Sequence, residues 1–361
     1  PFLRSMMWGA LWDSVREGEM DPRVFVELVV KVLGSSPKAE NHPVAAAATP
    51  LLRKEGSQSE EDESTIATLL GRPGPALNYY MSEPPALAGG FRTQADESST
   101  RVRPGGLPDA NGGRTGDAGV KNPPAHAGGS DLRKSVEGLL IERMQNAPSL
   151  GQRITYYRAF LNIVASKEGQ GVLRAILALN KGGLGKSTGF VGMMSKEDAE
   201  RIATFEAAIR TLPIKTKDKF DIVTRLLILN DPEAPKLLAD LEKTETSDEA
   251  KRYAYAAKAG IATAENKAKY WNDFVNNKEI SESWIEAAFG PWNSIRHSEL
   301  TLPYLERALK ELPNHKRNRK IFFVNGWLGA FIGGQRSPEA LAVVNKFLAD
   351  NPGLDNDLRL K

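Results

Sequence analysis

The sequence predicts an all-α fold, an irregular α-solenoid of antiparallel helix pairs of the HEAT or armadillo kind, interrupted by two low-complexity insertions. Apolar residues recur at three- and four-residue spacing in segment after segment, and the segments are parted by short turns holding Ser, Thr, Asp, Gly or Pro. No stretch alternates at period two with turn chemistry around it, so sheets are not expected. Successive helix pairs take up about 35 to 45 residues without exact self-similarity, which suits stacked helical repeats. On size alone 361 residues correspond to about two domains. Helices of the same kind on both sides of the insertions argue instead for one helical-repeat domain over 1–361.

The first segment places Leu3, Met6, Met7, Leu11, Trp12 and Val15 on one helical face. Asp21-Pro22 is a cap and first-turn pair for a second helix carrying Phe25, Val26, Val29 and Leu33 up to Gly34. From 35 to 62 the pattern dissolves into Pro, Ala and an acidic cluster, the first insertion. Periodicity returns over Thr65–Tyr80. It stops again over 83–131, where Gly and Pro dominate, large aliphatics are scarce and disorder is expected, because such a segment buries too little to offset chain entropy. An internal echo, Pro84-Pro85-Ala86 to Gly90 against Pro123-Pro124-Ala125 to Gly129, marks an inserted element rather than a folded repeat.

From Leu132 the spacing predicts helices over Leu132–Ala147, Gln152–Ser166 and Gly169–Leu179, then a Gly/Lys loop over 180–194. Further helices follow at Ser195–Leu212, Lys217–Leu229 and Pro232–Lys243 behind an Asp231 cap. Thr246-x-x-Glu249 opens the next as a capping box, Thr263 opens another to Asn277, and Glu279–Phe289 leads on. Thr301 is expected to cap a helix with Pro303 in its first turn and Leu302, Leu305, Leu309 and Leu312 on one face, ended by Pro313 and Asn314. A basic turn, His315 to Lys320, precedes Ile321–Ile332, which is apolar nearly all round with Trp327 at its centre, the pattern of a helix packed on several sides. Ser337-Pro338 caps the last full helix.

Composition removes several classes. With 48 basic and 45 acidic residues the net charge is +3, too small and dispersed to argue for nucleic acid or a charged membrane surface. No apolar run approaches the ~18 residues of a membrane span. With 0 cysteines there is no disulfide, thiol nucleophile or cysteine metal site, while the compartment stays open.

Few groups are arranged for chemistry. Lys181-Gly182-Gly183-Leu184-Gly185-Lys186-Ser187-Thr188 is similar to the phosphate loop of ParA and MinD-type ATPases: backbone N–H groups could cradle a phosphate, Lys186 reach it and Ser187 hold Mg²⁺. Such a loop must leave a buried strand, yet Val172 to Leu179 has helical spacing. The acidic partner would be Asp231, behind a run that is itself helical, with Asp221 and Arg225 spaced as a charge pair across one turn. A flexible Gly/Lys loop is the preferred reading. The histidines are His42, His126, His297 and His315, with no i, i+4 pair, so no HExxH zinc site exists in this sequence. No Gly-x-Ser-x-Gly elbow is present, and the carboxylates read as solvated helix faces. In the basic turn, cations at the start of a helix oppose its macrodipole, so a contact from Arg317 or Arg319 to a carboxylate is weighed against a merely solvated turn.

A resemblance rests on Trp292-Asn293, Glu299-Leu300, Pro303-Tyr304, Ile321-Phe322-Phe323 and Trp327-Leu328, with Met7-Trp8-Gly9-Ala10-Leu11-Trp12-Asp13 near the start and Leu229-Asn230-Asp231-Pro232 in the middle. Together these resemble the C-terminal helical domain of M1-family zinc aminopeptidases, the aminopeptidase N group. The resemblance implies a HEAT-like bowl that closes the peptide chamber, with the zinc-dependent catalytic domain upstream as partner and peptides as substrate. The HExxH helix and exopeptidase motif of that family are not in this sequence. No catalytic or metal position carries over, the chain alone is expected to be inactive, and zinc is expected only in a full-length enzyme. Under this reading Arg317 or Arg319 would face the chamber and draw peptide carboxylates. The alternative is a free-standing helical-repeat interaction scaffold.

Overall fold

The computed structural model describes residues 2–34, 66–81, 129–180 and 196–359. Among these residues every regular element is helical, with no strand. The expected insertion at 35–62, nearly all of that at 83–131, and the Lys181–Ser187 loop lie outside the described residues. Gly129 to Asp131 already belong to a helix, so the 83–131 gap closes three residues early.

Two helices, α1 (Phe2–Arg16) and α2 (Pro22–Gly34), pack face to face, and Trp8 meets Phe25 edge-on at 6.0 Å. The expected helix over Thr65–Tyr80 is broken into a stretch at 66–70, a single turn Pro73–Pro75 and a π-helical turn Ala76–Tyr80. Prolines 73 and 75 donate no N–H, so the ladder cannot run through them.

Next come α3 (Gly129–Asn146), α4 (Leu150–Ile163), α5 (Lys167–Leu179), α6 (Lys196–Arg210), α7 (Thr216–Ile228), α8 (Ala234–Thr244), α9 (Asp248–Ala259) and α10 (Ala264–Val275). After them follow α11 (Glu282–Trp292), α12 (Ser298–Lys310), α13 (Leu312–Asn318), α14 (Ile321–Gly333), α15 (Pro338–Asp350) and a last turn, α16 (Asn356–Arg359). Short turns make chain neighbours antiparallel, while α5, α7, α9, α11 and α14 pack one on the next as a layer of alternate helices. That is the expected solenoid. Each unit buries its apolar stripe against its neighbours and could not do so alone.

Capping decides where several helices start. The hydroxyls of Ser149, Ser166, Ser247, Thr263 and Ser337 each accept from the backbone N–H three residues on. Thr263 and Ser337 match expectation, but the α9 cap is Ser247, one residue after Thr246, because Ser247 is the residue in extended conformation at the boundary. The end of α7 is a Schellman turn: Asp231 N–H reaches Leu226 C=O at 2.9 Å and Asn230 N–H reaches Leu227 C=O at 3.0 Å. Asn230 takes the left-handed conformation this requires, φ 53°.

Three local expectations are corrected. Thr301 is no cap: a 3₁₀ turn, Ile295–His297, leads into α12 at Ser298, leaving Thr301 and Pro303 inside the helix and Thr301 fully buried. Gln335 Nε2 donates to its hydroxyl at 2.8 Å. The basic turn is itself mostly helix α13, with Pro313 in its first turn, where a missing N–H does no harm. Finally, α14 buries Phe323, Val324, Trp327, Leu328 and Phe331 but leaves Phe322 77% exposed, because α11, α12 and α13 cover only part of its circumference.

Candidate functional site

The cations singled out at α13 are held at the surface. Lys316 bridges Asp355 and Asp357 at 2.6 Å each. Arg319 reaches Glu282 at 3.3 Å with its guanidinium over the Phe323 ring, 5.1 Å from the centroid, and Arg317 is exposed. His315 departs from the rest of the segment. It is buried against Trp327 and Phe323, with ring centroids 4.4 and 5.2 Å away, and burial pushes its pKa down to about 4.

A denser group of cations forms where helices of the layer end. Helix C-termini present unsatisfied carbonyls and partial negative charge, so buried cations fit there. At the end of α4, Arg133 of α3 donates to Ile163 C=O at 2.9 Å, and Arg225 of α7 donates twice to Val164 C=O, at 3.0 and 2.6 Å. At the ends of α9 and α11 the fully buried Lys267 donates to Ala259 C=O at 3.1 Å and Trp292 C=O at 2.7 Å. Burial lowers its pKa to about 7. The expected Asp221–Arg225 pair does not form. Asp221 takes Lys217 at 2.5 Å, and Arg225 turns inward because the α4 carbonyls lie on that side.

The same junction gathers Arg296 and Arg336. Arg133 also donates to Leu77 C=O at 2.7 Å and Asn78 Oδ1 at 3.2 Å, and Arg336 donates to Asn78 C=O at 3.4 Å. The Ile295–His297 turn carrying Arg296 packs on the Ala76–Tyr80 turn. Burial presses the Arg133, Arg225 and Arg296 pKa values down, and the guanidiniums reinforce this by mutual repulsion: Arg296 acts on Arg133 and Arg225, and Arg336 on Arg296. They remain charged at neutral pH, since guanidinium gives up its proton only far above it. Neighbouring His297 is buried, held down to about 4 by desolvation first and then by Lys267 and Arg296, and its Nδ1 has no partner among the described residues.

The carboxylate inside this group is Glu137. It accepts from Ala165 N–H at 2.8 Å, from Ser166 N–H at 3.2 Å and from the Ser166 hydroxyl, fixing the α4–α5 turn. Gly169 makes that approach possible, because a Cβ there would lie 2.7 Å from Glu137 Oε2 and 2.4 Å from Val164 Cγ2. Beside Arg336, an apolar groove of about 460 Å³ runs between α12, α14 and α15, lined by Leu305, Ile332, Ala340, Leu341 and Val344.

Sequence reasoning picked out Arg225 only as a partner for Asp221 and did not pick out Arg133, Arg296 or Arg336; the four are scattered over some two hundred residues of chain. A signal existed only for Arg225, which stands three residues from each of the apolar Ile222 and Ile228. Arg317 and Arg319 precede α14 and Arg336 follows it, so about 20 Å of helix separates the two groups. Asp231, which a nucleotide site would need at the end of a strand, instead ends a helix and pairs with Arg174 of α5. Among the described residues, no three His, Asp or Glu side chains come together to hold a metal ion. No helix of the described residues is long and apolar enough to cross a membrane. No family model and no curated protein matches the chain.

Proposed function

We propose that the chain is the C-terminal helical portion of an M1-like zinc metalloaminopeptidase, a wall of the peptide chamber whose zinc-bearing catalytic domain lies upstream. The observation carrying this reading is the residue pattern Trp292-Asn293, Glu299-Leu300, Pro303-Tyr304, Ile321-Phe322-Phe323 and Trp327-Leu328, which resembles that family. In the fold those residues lie in and between α11, α12 and α14. Trp292 and Trp327 are buried there, with Trp327 Nε1 bonded to Ala308 C=O at 3.0 Å. A stack of helix pairs is the architecture such a wall needs, because it offers a long continuous face without an active site of its own.

The role is enclosure, and hydrolysis belongs to the upstream domain. The purified chain is expected to show no zinc-dependent release of aminoacyl anilides, and the reading frame upstream of Pro1 is expected to encode an HExxH helix. Robust turnover by the chain alone refutes the division of labour. A native frame with no HExxH segment refutes the family reading and leaves the interaction scaffold.

A further inference from the structure

We propose that the junction of the Ala76–Tyr80, α4–α5 and Ile295–His297 turns binds one small oxyanion, a phosphate or carboxylate group, held by Arg296 within the positive field of Arg133, Arg225 and Arg336. The argument is one of unmatched charge. Arg133 and Arg225 are engaged by the carbonyls that end α4, and Arg336 donates to Asn78 C=O, so the fold accounts for their places. Arg296 is different: among the described residues its guanidinium has no hydrogen-bond or ion-pair partner, although it is half-buried beside like charges.

Withdrawing a guanidinium from water without a partner is costly, and placing it beside other cations adds to the cost. Glu137 offsets part of this charge, since its carboxylate favours the charged forms of Arg133, Arg225 and Arg296, but it is one negative charge among four guanidiniums and its oxygens bond to the α4–α5 turn rather than to Arg296. A helix C-terminus does not explain Arg296 either. Although its turn follows α11, it donates to no carbonyl there, and Trp292 C=O is taken by Lys267. Water reaches the Arg296 nitrogens, none of which is a buried atom without a partner, so what the fold leaves missing is a counter-charge, and an anion from solution supplies it. Guanidinium presents parallel N–H groups that fit two oxygens of a carboxylate or phosphate.

Thermal unfolding of the full chain at fixed ionic strength tests this, with inorganic phosphate in one arm, acetate in a second and chloride as reference. The melting temperature is expected to rise with the logarithm of phosphate or acetate concentration beyond the chloride curve, and whichever arm rises identifies the group taken. Arg296→Ala abolishes the rise, and Arg296→Lys weakens the apparent affinity roughly ten- to a hundredfold, the loss of one charge-assisted bond. Arg317→Ala makes the same charge change elsewhere and keeps the rise. Because Arg296 makes no hydrogen bond or ion pair among the described residues, its Ala variant melts no lower than the parent in chloride. An equal anion response in Arg296→Ala, no response in the parent, or a large drop in the Ala variant's melting temperature in chloride would each overturn the proposal.

Discussion

The two halves of the solenoid hold themselves together by different means. From α1 to the start of α9 the core is mainly aliphatic, with Leu140, Ile163, Leu173, Ile176, Val223 and Leu226 fully buried, and its turns are clamped by Arg133, Glu137 and Arg225. From the end of α9 onward the core is a lattice of rings: Trp271, Phe274, Phe289, Trp292, Phe323, Trp327 and Phe331 meet edge-on or tilted, and Phe323 stacks on Trp327, at 4.4 to 6.5 Å. Aliphatic packing is non-directional, so the first half uses polar clamps to define its turns. Aromatic pairs have preferred geometries worth about 0.5–1.5 kcal/mol each beyond area burial, so the second half gains definition from the rings themselves. Helix α9 joins the two, with Ala250, Ala254 and Ala257 in the first cluster and Ala259 in the second.

The sharpest way to break the second half is Trp327→Ala. It removes the ring in contact with Trp271, Phe289, Phe323 and Phe331 and leaves Ala308 C=O without its donor. A loss of about 3–5 kcal/mol is expected in urea unfolding. Hydrogen exchange should rise in α11, α12 and α14 before α3 to α7, and uniform loss of protection would show that the halves do not differ in this way.

Glu137→Ala is the matching cut in the first half. It removes three acceptor contacts at the α4–α5 turn, and a loss of about 2–3 kcal/mol is expected from the orphaned donors. Glu137→Gln, which keeps an acceptor, should cost less. Here exchange should rise first around Ala165 and Ser166, and an effect centred on α14 would contradict the comparison.

The smallest effect per step is one of pH. His315 and His297 titrate near 4 in the fold, below the ordinary histidine range near 6.5. Between these values the unfolded chain binds more protons, so stability is full above about 6.5 and falls as pH drops toward 4, by about 1.4 kcal/mol per unit for each group. Lys267 follows the same sign in another window: its folded pKa of about 7 lies below 10.5, so stability rises as pH climbs from 7 to 10.5. His315→Leu should flatten the acid slope while leaving the alkaline one, and unfolding midpoints across pH 4–10 would check both.

Much of this architecture was legible in local chemistry. The three-to-four spacing of Val223, Leu226 and Leu227, the hydroxyls of Thr263 and Ser337, and the apolar run around Trp327 each name a helix or its boundary, because propensity, capping and periodicity act over a few residues. Where local signals compete, the chain alone misled. Thr301 suits a helix start, yet the helix begins at Ser298 behind the Ile295–His297 turn and Thr301 is buried within it, its hydroxyl taken by Gln335. Asp221 and Arg225 stand one turn apart, yet Val164 C=O draws the arginine away. The cation cluster was invisible for the same reason: Arg133, Arg225, Arg296 and Arg336 share no spacing, and what unites them is the meeting of turns from distant repeats. Sequence alone therefore determined that this protein is a succession of paired helices with an aromatic second half, since those properties follow from short-range order and composition. Which charges are buried together, and that Arg296 has no hydrogen-bond or ion-pair partner among the described residues, was decided only when the helices stacked, because desolvation and Coulomb repulsion depend on distances that the linear chain does not contain.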